Sequence, residues 1–263
     1  MKHLKTALLI LPCIALTSCV TQCGANASNN GWGVNVGTIL NADTLNTILG
    51  GQTSLATLSN TDIIQGLKEA LNIGSTHVVS QLGTFNGFNA DPNIKIPLPD
   101  TLAKVDSALS TIGMNSLTSD LETRLNRAAE AATPKAKALF LSAIQNMTIN
   151  DAREILNGPQ DAATQYLRKA MGPQLAQDMQ PLIQSALSEA GAIRAYDNVI
   201  SRYEQIPFVS TLAGNTKTQL NDYVTTKAMD GIFYYVAREE AAIRTNPAKR
   251  TTEILQKVFG ARR

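Results

Sequence analysis

Histidine, cysteine and aromatic residues are scarce in this chain, and their scarcity excludes chemistry. Its 263 residues include two histidines, three cysteines and one tryptophan. His3 lies in the leader, which leaves His77 as the histidine of the body. A zinc site of the usual kind needs about three or four His, Cys or carboxylate ligands, and a body with one histidine cannot build a histidine cluster. No Gly-x-Ser-x-Gly elbow, His-Glu-x-x-His pair, phosphate loop or dinucleotide glycine pattern occurs. The composition therefore predicts no metal, no cofactor and no enzyme. A surplus of one charge is lacking too, with 23 Lys and Arg against 21 Asp and Glu. Lys2 and Lys5 account for the net +2, because residues 1–18 contain no acid. A near-neutral body lacks the basic surplus that a phosphate backbone demands, so no nucleic-acid partner is expected. After the leader no run reaches the ~20 apolar residues that cross a bilayer.

What is present begins with that leader. Lys2 and Lys5 open it, residues 6–16 form a short apolar run, and Leu16-Thr17-Ser18-Cys19 closes it. The run has the shape of an export signal and is too short for a membrane span. Its last four residues resemble the bacterial lipoprotein cleavage box. The resemblance implies that residues 1–18 are a signal peptide and that Cys19 is acylated, palmitate included, and becomes the mature N-terminus. Several acyl chains, at ~0.8 kcal/mol per buried methylene, make such attachment effectively permanent. Val20 follows where an aspartate would signal inner-membrane retention, so the expectation is the periplasmic face of the outer membrane. Cys13 leaves with the leader, and Cys23 alone remains, so the body has no intrachain disulfide. Residues 19–37 are rich in Gly, Asn, Ser and Ala and read as a flexible tether carrying Trp32.

Residues 38–263 read as a single all-α domain, an irregular bundle of about eight to ten helices with one long central helix near the C-terminus. A short helix over 38–49 is followed by a capping-box start at Ser59-Asn60-Thr61-Asp62. Ile63, Ile64, Leu67, Leu71, Val78, Val79 and Leu82 then recur at helical spacing up to Gly83. Residues 84–99 hold Pro92, Pro97 and Pro99 and form a long loop, with Phe85, Phe88, Ile94 and Ile96 anchoring it to the helices. Further helices follow from Asp100 and Leu117. Thr133-Pro134 reads as the cap and first residue of a new helix, Gly172-Pro173 as a break, and Pro181 as a bend or division. No stretch alternates with period two.

The longest proline-free helical run covers residues 216–245. On a projection at about 100° per residue, Glu239 falls among Val224, Ala228, Ile232, Tyr235, Val236, Ala242 and Ile243. A carboxylate there needs a partner, and Lys137, Arg127 and Arg168 are the candidates for a buried ion pair or, with Glu239, a ligand site. Lys137 is itself anomalous, lying between Leu141 and Ile144 on its helix. Glu240–Arg244 and Lys227–Asp230 read as solvated pairs worth ~0.2–0.5 kcal/mol. The last twenty residues are locally basic and read as a solvated face.

Several phrases carry a family resemblance: Leu58-Ser-Asn-Thr-Asp-Ile-Ile-Gln-Gly-Leu-Lys-Glu-Ala-Leu71, Ile96-Pro-Leu-Pro99, Met147-Thr-Ile-Asn-Asp through Gly158, Asp161-Ala-Ala-Thr-Gln-Tyr166, Lys227-Ala-Met-Asp through Tyr235, and Arg250-Thr-Thr-Glu253. In these the body resembles a bacterial family known only as domain of unknown function 4197. The resemblance implies an exported helical protein and no activity. Two readings follow. The first is a non-enzymatic module that binds an envelope protein. The second is a carrier of a lipid or other apolar ligand, which needs an inter-helix cavity of ~300 Å³ or more. An enzyme comes third.

Overall fold

The computed structural model describes residues 58–150, 152–207 and 217–260. The leader, Cys19, Cys23, Trp32 and the helix expected over 38–49 lie outside the described residues. Residues 51–263 form one compact unit.

Eight α-helices and no strand occur among the described residues, so the chain is all-α. They are α1 (Asn60–Leu82), α2 (Asp100–Thr111), α3 (Asn115–Asn146), α4 (Ala152–Asn157), α5 (Ala162–Glu189), α6 (Ala192–Glu204), α7 (Lys217–Thr245) and α8 (Glu253–Gly260). A 3-10 turn, Pro247–Lys249, separates α7 from α8. The expected capping box opens α1: Asp62 N donates to Ser59 Oγ at 3.0 Å and Ser59 N to the Asp62 carboxylate at 3.3 Å. Asn246 caps the 3-10 turn through Ala248 N, with Pro247 as the first residue of the turn.

Two antiparallel pairs set the frame. Lys68 Nζ reaches Gln145 O, and Gly83 abuts Pro134 at the other end, so α1 and α3 run in opposite directions. Thr164 meets Glu240 and Gln180 meets Asp222, which makes α5 and α7 antiparallel as well. Leu67, Leu71 and Val78 of α1, Phe140 and Ile144 of α3, Leu167 and Ile183 of α5, and Ile232 and Val236 of α7 share one core. Phe140 and Phe233 meet in it as a tilted ring pair with centroids 5.6 Å apart.

Two expected boundaries are absent. Thr133-Pro134 does not start a helix, because α3 runs unbroken through it for 32 residues and exceeds α7, at 29, in length. Likewise α5 runs through Gly172, Pro173 and Pro181. A proline inside a helix costs about 3 kcal/mol and glycine about 1. Packing of both helices against their neighbours outweighs these local preferences. At Pro134 the ring packs on Gly83, where an added Cβ would come within 2.5 Å of Pro134 Cγ. The Thr133 hydroxyl donates back to Ala129 O at 2.7 Å, so it serves the helix interior and caps nothing.

Candidate functional site

Two buried carboxylates hold the fold's irregular parts in place. Glu240, with a fully buried side chain, reaches from α7 to the start of α5. Its Oε1 accepts from Ala163 N at 3.0 Å, and its Oε2 accepts from the Thr164 N–H and hydroxyl, each at 2.7 Å. These N–H groups belong to the first turn of a helix and have no partner within it. Arg244, one turn on and 2% exposed, pairs with Glu240 at 2.7 Å. Arg244 also donates to Leu156 O and Ile155 O, carbonyls at the end of α4, at 2.8 and 3.2 Å. One ion pair thus caps the end of α4 and the start of α5, and pins their corner to α7.

Glu130 of α3 does the same for the loop of residues 84–99. Its Oε1 accepts from Phe88 N and Asn89 N at 3.1 and 3.0 Å, and its Oε2 pairs with Arg127 at 2.6 Å. One turn earlier Asn126 accepts from Ile96 N and donates to Ile96 O, both at 2.8 Å. Tyr223 donates its hydroxyl to Pro97 O and Tyr235 donates to Asp91. Phe88, Ile94 and Ile96 are buried beneath, as the sequence predicts, while Phe85 is 78% exposed. Gly231 of α7 makes room for the loop, since a Cβ there would lie 2.9 Å from the Phe88 ring.

The Tyr235–Asp91 bond moves both groups. Burial pushes the Asp91 carboxyl up, but the Tyr235 hydroxyl and the Asn93 amides outweigh it and leave it below its ordinary 3.8. The Tyr235 hydroxyl is raised above 10.0, first by that hydrogen bond and then by burial. Burial likewise raises Tyr196 and Tyr223.

The residues singled out from the sequence do not converge. Glu239 is half-buried, at 19%, and pairs with His77 Nδ1 at 3.0 Å and with Lys249 at 3.4 Å. None of Lys137, Arg127 and Arg168 touches it. Lys137 is exposed, Arg127 serves Glu130, and Arg168 pairs with Asp230 across α5 and α7. Asp230 therefore does not pair with Lys227, and Glu240–Arg244 is buried where a solvated pair was expected. The error lies in the width of the apolar stripe. Met229, Gly231 and Phe233 are buried as well, while Tyr235 and Ala242 are partly exposed, so the buried arc shifts one position and takes in Glu240. The basic C-terminal stretch is largely engaged: Lys249 with Glu239, Lys257 with Asp62, and Arg250 with the carbonyls of Ile243 and Arg244.

Open grooves mark the surface. One of about 510 Å³ lies between Pro97, Pro99, Tyr196, Tyr223 and Lys227. Another, of about 670 Å³, follows α4 and α5 past Ile155, Pro159, Tyr166 and Lys169. A third, of about 590 Å³, runs between α5 and α7 past Arg168, Asp230, Phe233, Tyr234 and Arg238. A lobe of about 260 Å³ at Gly172, Pro173, Ala176 and Met229 extends it. Among the described residues no three His, Cys, Asp or Glu side chains could hold a metal ion, and no helix is long and apolar enough to cross a membrane.

A helical body whose buried charges are spent on its own helix ends and on one long loop is the class that fold and site define. Residues 57–260 match the family described as "Protein of unknown function (DUF4197)", and the chain belongs to that family. No curated protein and no solved structure matches.

Proposed function

We propose that the protein is a lipid-anchored lipoprotein of the bacterial outer membrane whose periplasmic helical body is a non-enzymatic interaction module, docking a protein partner through the turn that carries Phe85. The leader and the Leu16-Thr17-Ser18-Cys19 box support the anchor. The observation that carries the module is the rigid display of Phe85. Asn86, directly after it, has φ +68°, the left-handed conformation that asparagine adopts more readily than other non-glycine residues and that a neighbour can hold in place. Arg127 does so, bonding the Asn86 side chain at 2.7 Å while its guanidinium lies 3.6 Å from the Phe85 ring centroid. Arg127 is held in turn by Glu130. Phe85 therefore stands outward at little further entropic cost on binding, which is how aromatic anchors of interfaces act. Its partner is a protein with an apolar pocket that takes a phenyl ring.

The carrier reading has less support, because the grooves are open to solvent and a carried lipid needs a closed cavity. Metabolic labelling with a fatty acid tests the anchor: the protein takes up label and Cys19→Ser does not. A photo-crosslinking residue at position 85 tests the module. One adduct of discrete mass is expected in cells, absent when the crosslinker replaces the exposed Lys137. No adduct at 85, or the same adducts at both positions, would sink it.

A further inference from the structure

The α5–α7 groove holds a feature that the fold does not need. Gly172 is buried, yet a Cβ added to it would meet only Arg168 Cγ, at 3.8 Å. Two other glycines inside helices answer to a neighbour: at Gly66 a Cβ would strike Val258 at 2.7 Å, and at Gly231 the Phe88 ring at 2.9 Å. Pro173 follows Gly172, so α5 places the two residues least suited to a helix interior beside a space that no side chain of the protein fills. A local rule broken without structural gain marks a site kept for another purpose.

We infer that this lobe is a docking slot for an acyl chain of an anionic phospholipid whose phosphate is held by Arg168 and Arg238. The floor of the lobe is Gly172, Ala176, Met229 and Phe233. Thr226 also lines it, but its hydroxyl already donates to Asp222 O at 2.9 Å. A peptide would bring an N–H and a C=O per residue to a wall that offers them little, whereas a methylene chain brings none. Polar groups gather where the lobe opens into the wider groove. Arg168 lies there, paired with Asp230 and 5.5 Å from the Phe233 ring centroid. Arg238 donates to the Tyr234 hydroxyl at 3.1 Å and acts electrostatically on Asp91, with no direct ion pair among the described residues. A phosphate entering the mouth exchanges with Asp230 on Arg168 and gains Arg238, and hydrogen bonds between two charged groups are the strong ones. Asp161, at the far end of the groove, is bonded by Gln165. The groove is open along its length and covers a chain on one side. That suits a lipid met at a membrane surface rather than a cargo carried through water. The slot stands whether or not Phe85 docks a protein.

The test uses the full-length protein in membranes and two photoreactive probes, a fatty acid and a phosphatidylglycerol, each with the reactive group in its acyl chain. Adducts are expected on the peptides that carry Gly172 to Ala176 and Met229 to Phe233. Labelling by the phospholipid supports the slot; labelling by the fatty acid alone would overturn it. Gly172→Leu fills the lobe and is expected to lower labelling at least about tenfold, with a thermal midpoint unchanged or raised because glycine is the poorer helix former. Met229→Trp, filling the lobe from α7, gives the same loss, so the conclusion does not hang on one variant. Arg168→Gln with Arg238→Gln lowers labelling about threefold or more. No adduct at these peptides with either probe, or equal labelling of both filled variants and the wild type, would overturn the slot.

Discussion

Glu130 and Glu240 perform one task in two surroundings. Each accepts two backbone N–H groups from a segment other than its own helix, and each has an arginine about one turn away. They differ in where the arginine sits. Arg244 is as buried as its partner and gives its remaining donors to the carbonyls of α4, so nothing replaces its carboxylate. Arg127, at 23% exposure, lies against Phe85 at the surface and can turn to water. A buried carboxylate is thus as indispensable as its cation is inaccessible, since the penalty for breaking a pair is the charge left without solvent or partner.

Substitution should separate the two. Glu240→Ala strands Arg244 and two helix N–H groups, and a loss of about 3–5 kcal/mol is expected in urea unfolding. A loss below about 1 kcal/mol would mean that Arg244 finds water and that the distinction fails. Glu130→Ala orphans Phe88 N and Asn89 N but frees Arg127 to solvent, and about 2 kcal/mol is expected. Should it match or exceed Glu240→Ala, the cation's exposure is irrelevant. Gly231→Ala pushes on Phe88 and Ile94 without touching either carboxylate; overpacking there should cost about 1–2 kcal/mol, seen as a lower thermal midpoint with α4 and α5 unaffected in hydrogen exchange.

The loop also carries an acid dependence through Asp91. Its carboxyl lies below the ordinary 3.8 when folded, so its contribution is full above that value and is lost as pH falls through the folded pKa. Tyr235→Phe removes the main bond holding it down and should flatten the dependence of stability on pH below about 4, measured by urea unfolding at successive pH values. An unchanged acid slope would show that the bond contributes nothing. The smallest effect is expected at Glu239, whose partners His77 and Lys249 are exposed. Glu239→Ala should cost under about 1 kcal/mol, and a larger loss would return it to the core.

How much was legible follows the range of the interaction. The Ser59–Asp62 box, the Asn246 cap and the leucine spacing of α1 act within a turn or two, and they stand where the residues put them. Thr133-Pro134 and Gly172-Pro173 also speak locally, and there the local message is overruled by what packs on α3 and α5. Glu239 and Glu240 are neighbours about 100° apart on one helix. Helical spacing narrowed the buried charge to that side of α7 but pointed to Glu239 instead of Glu240, because the choice depends on where α5 begins. For the candidate site, none of Arg127, Arg168 and Lys137 meets Glu239: Arg127 pairs with Glu130, Arg168 pairs with Asp230 from another helix, and Lys137 is exposed, and helical spacing carries no information on such partners.

The residues by themselves determined an all-helical body, because period and caps are properties of short stretches. The tertiary structure decided which carboxylates are buried, that Phe85 is left outside, and that a slot opens beside Gly172. Those depend on which helix end arrives at which face, and a burial cost is set only when the second surface is in place.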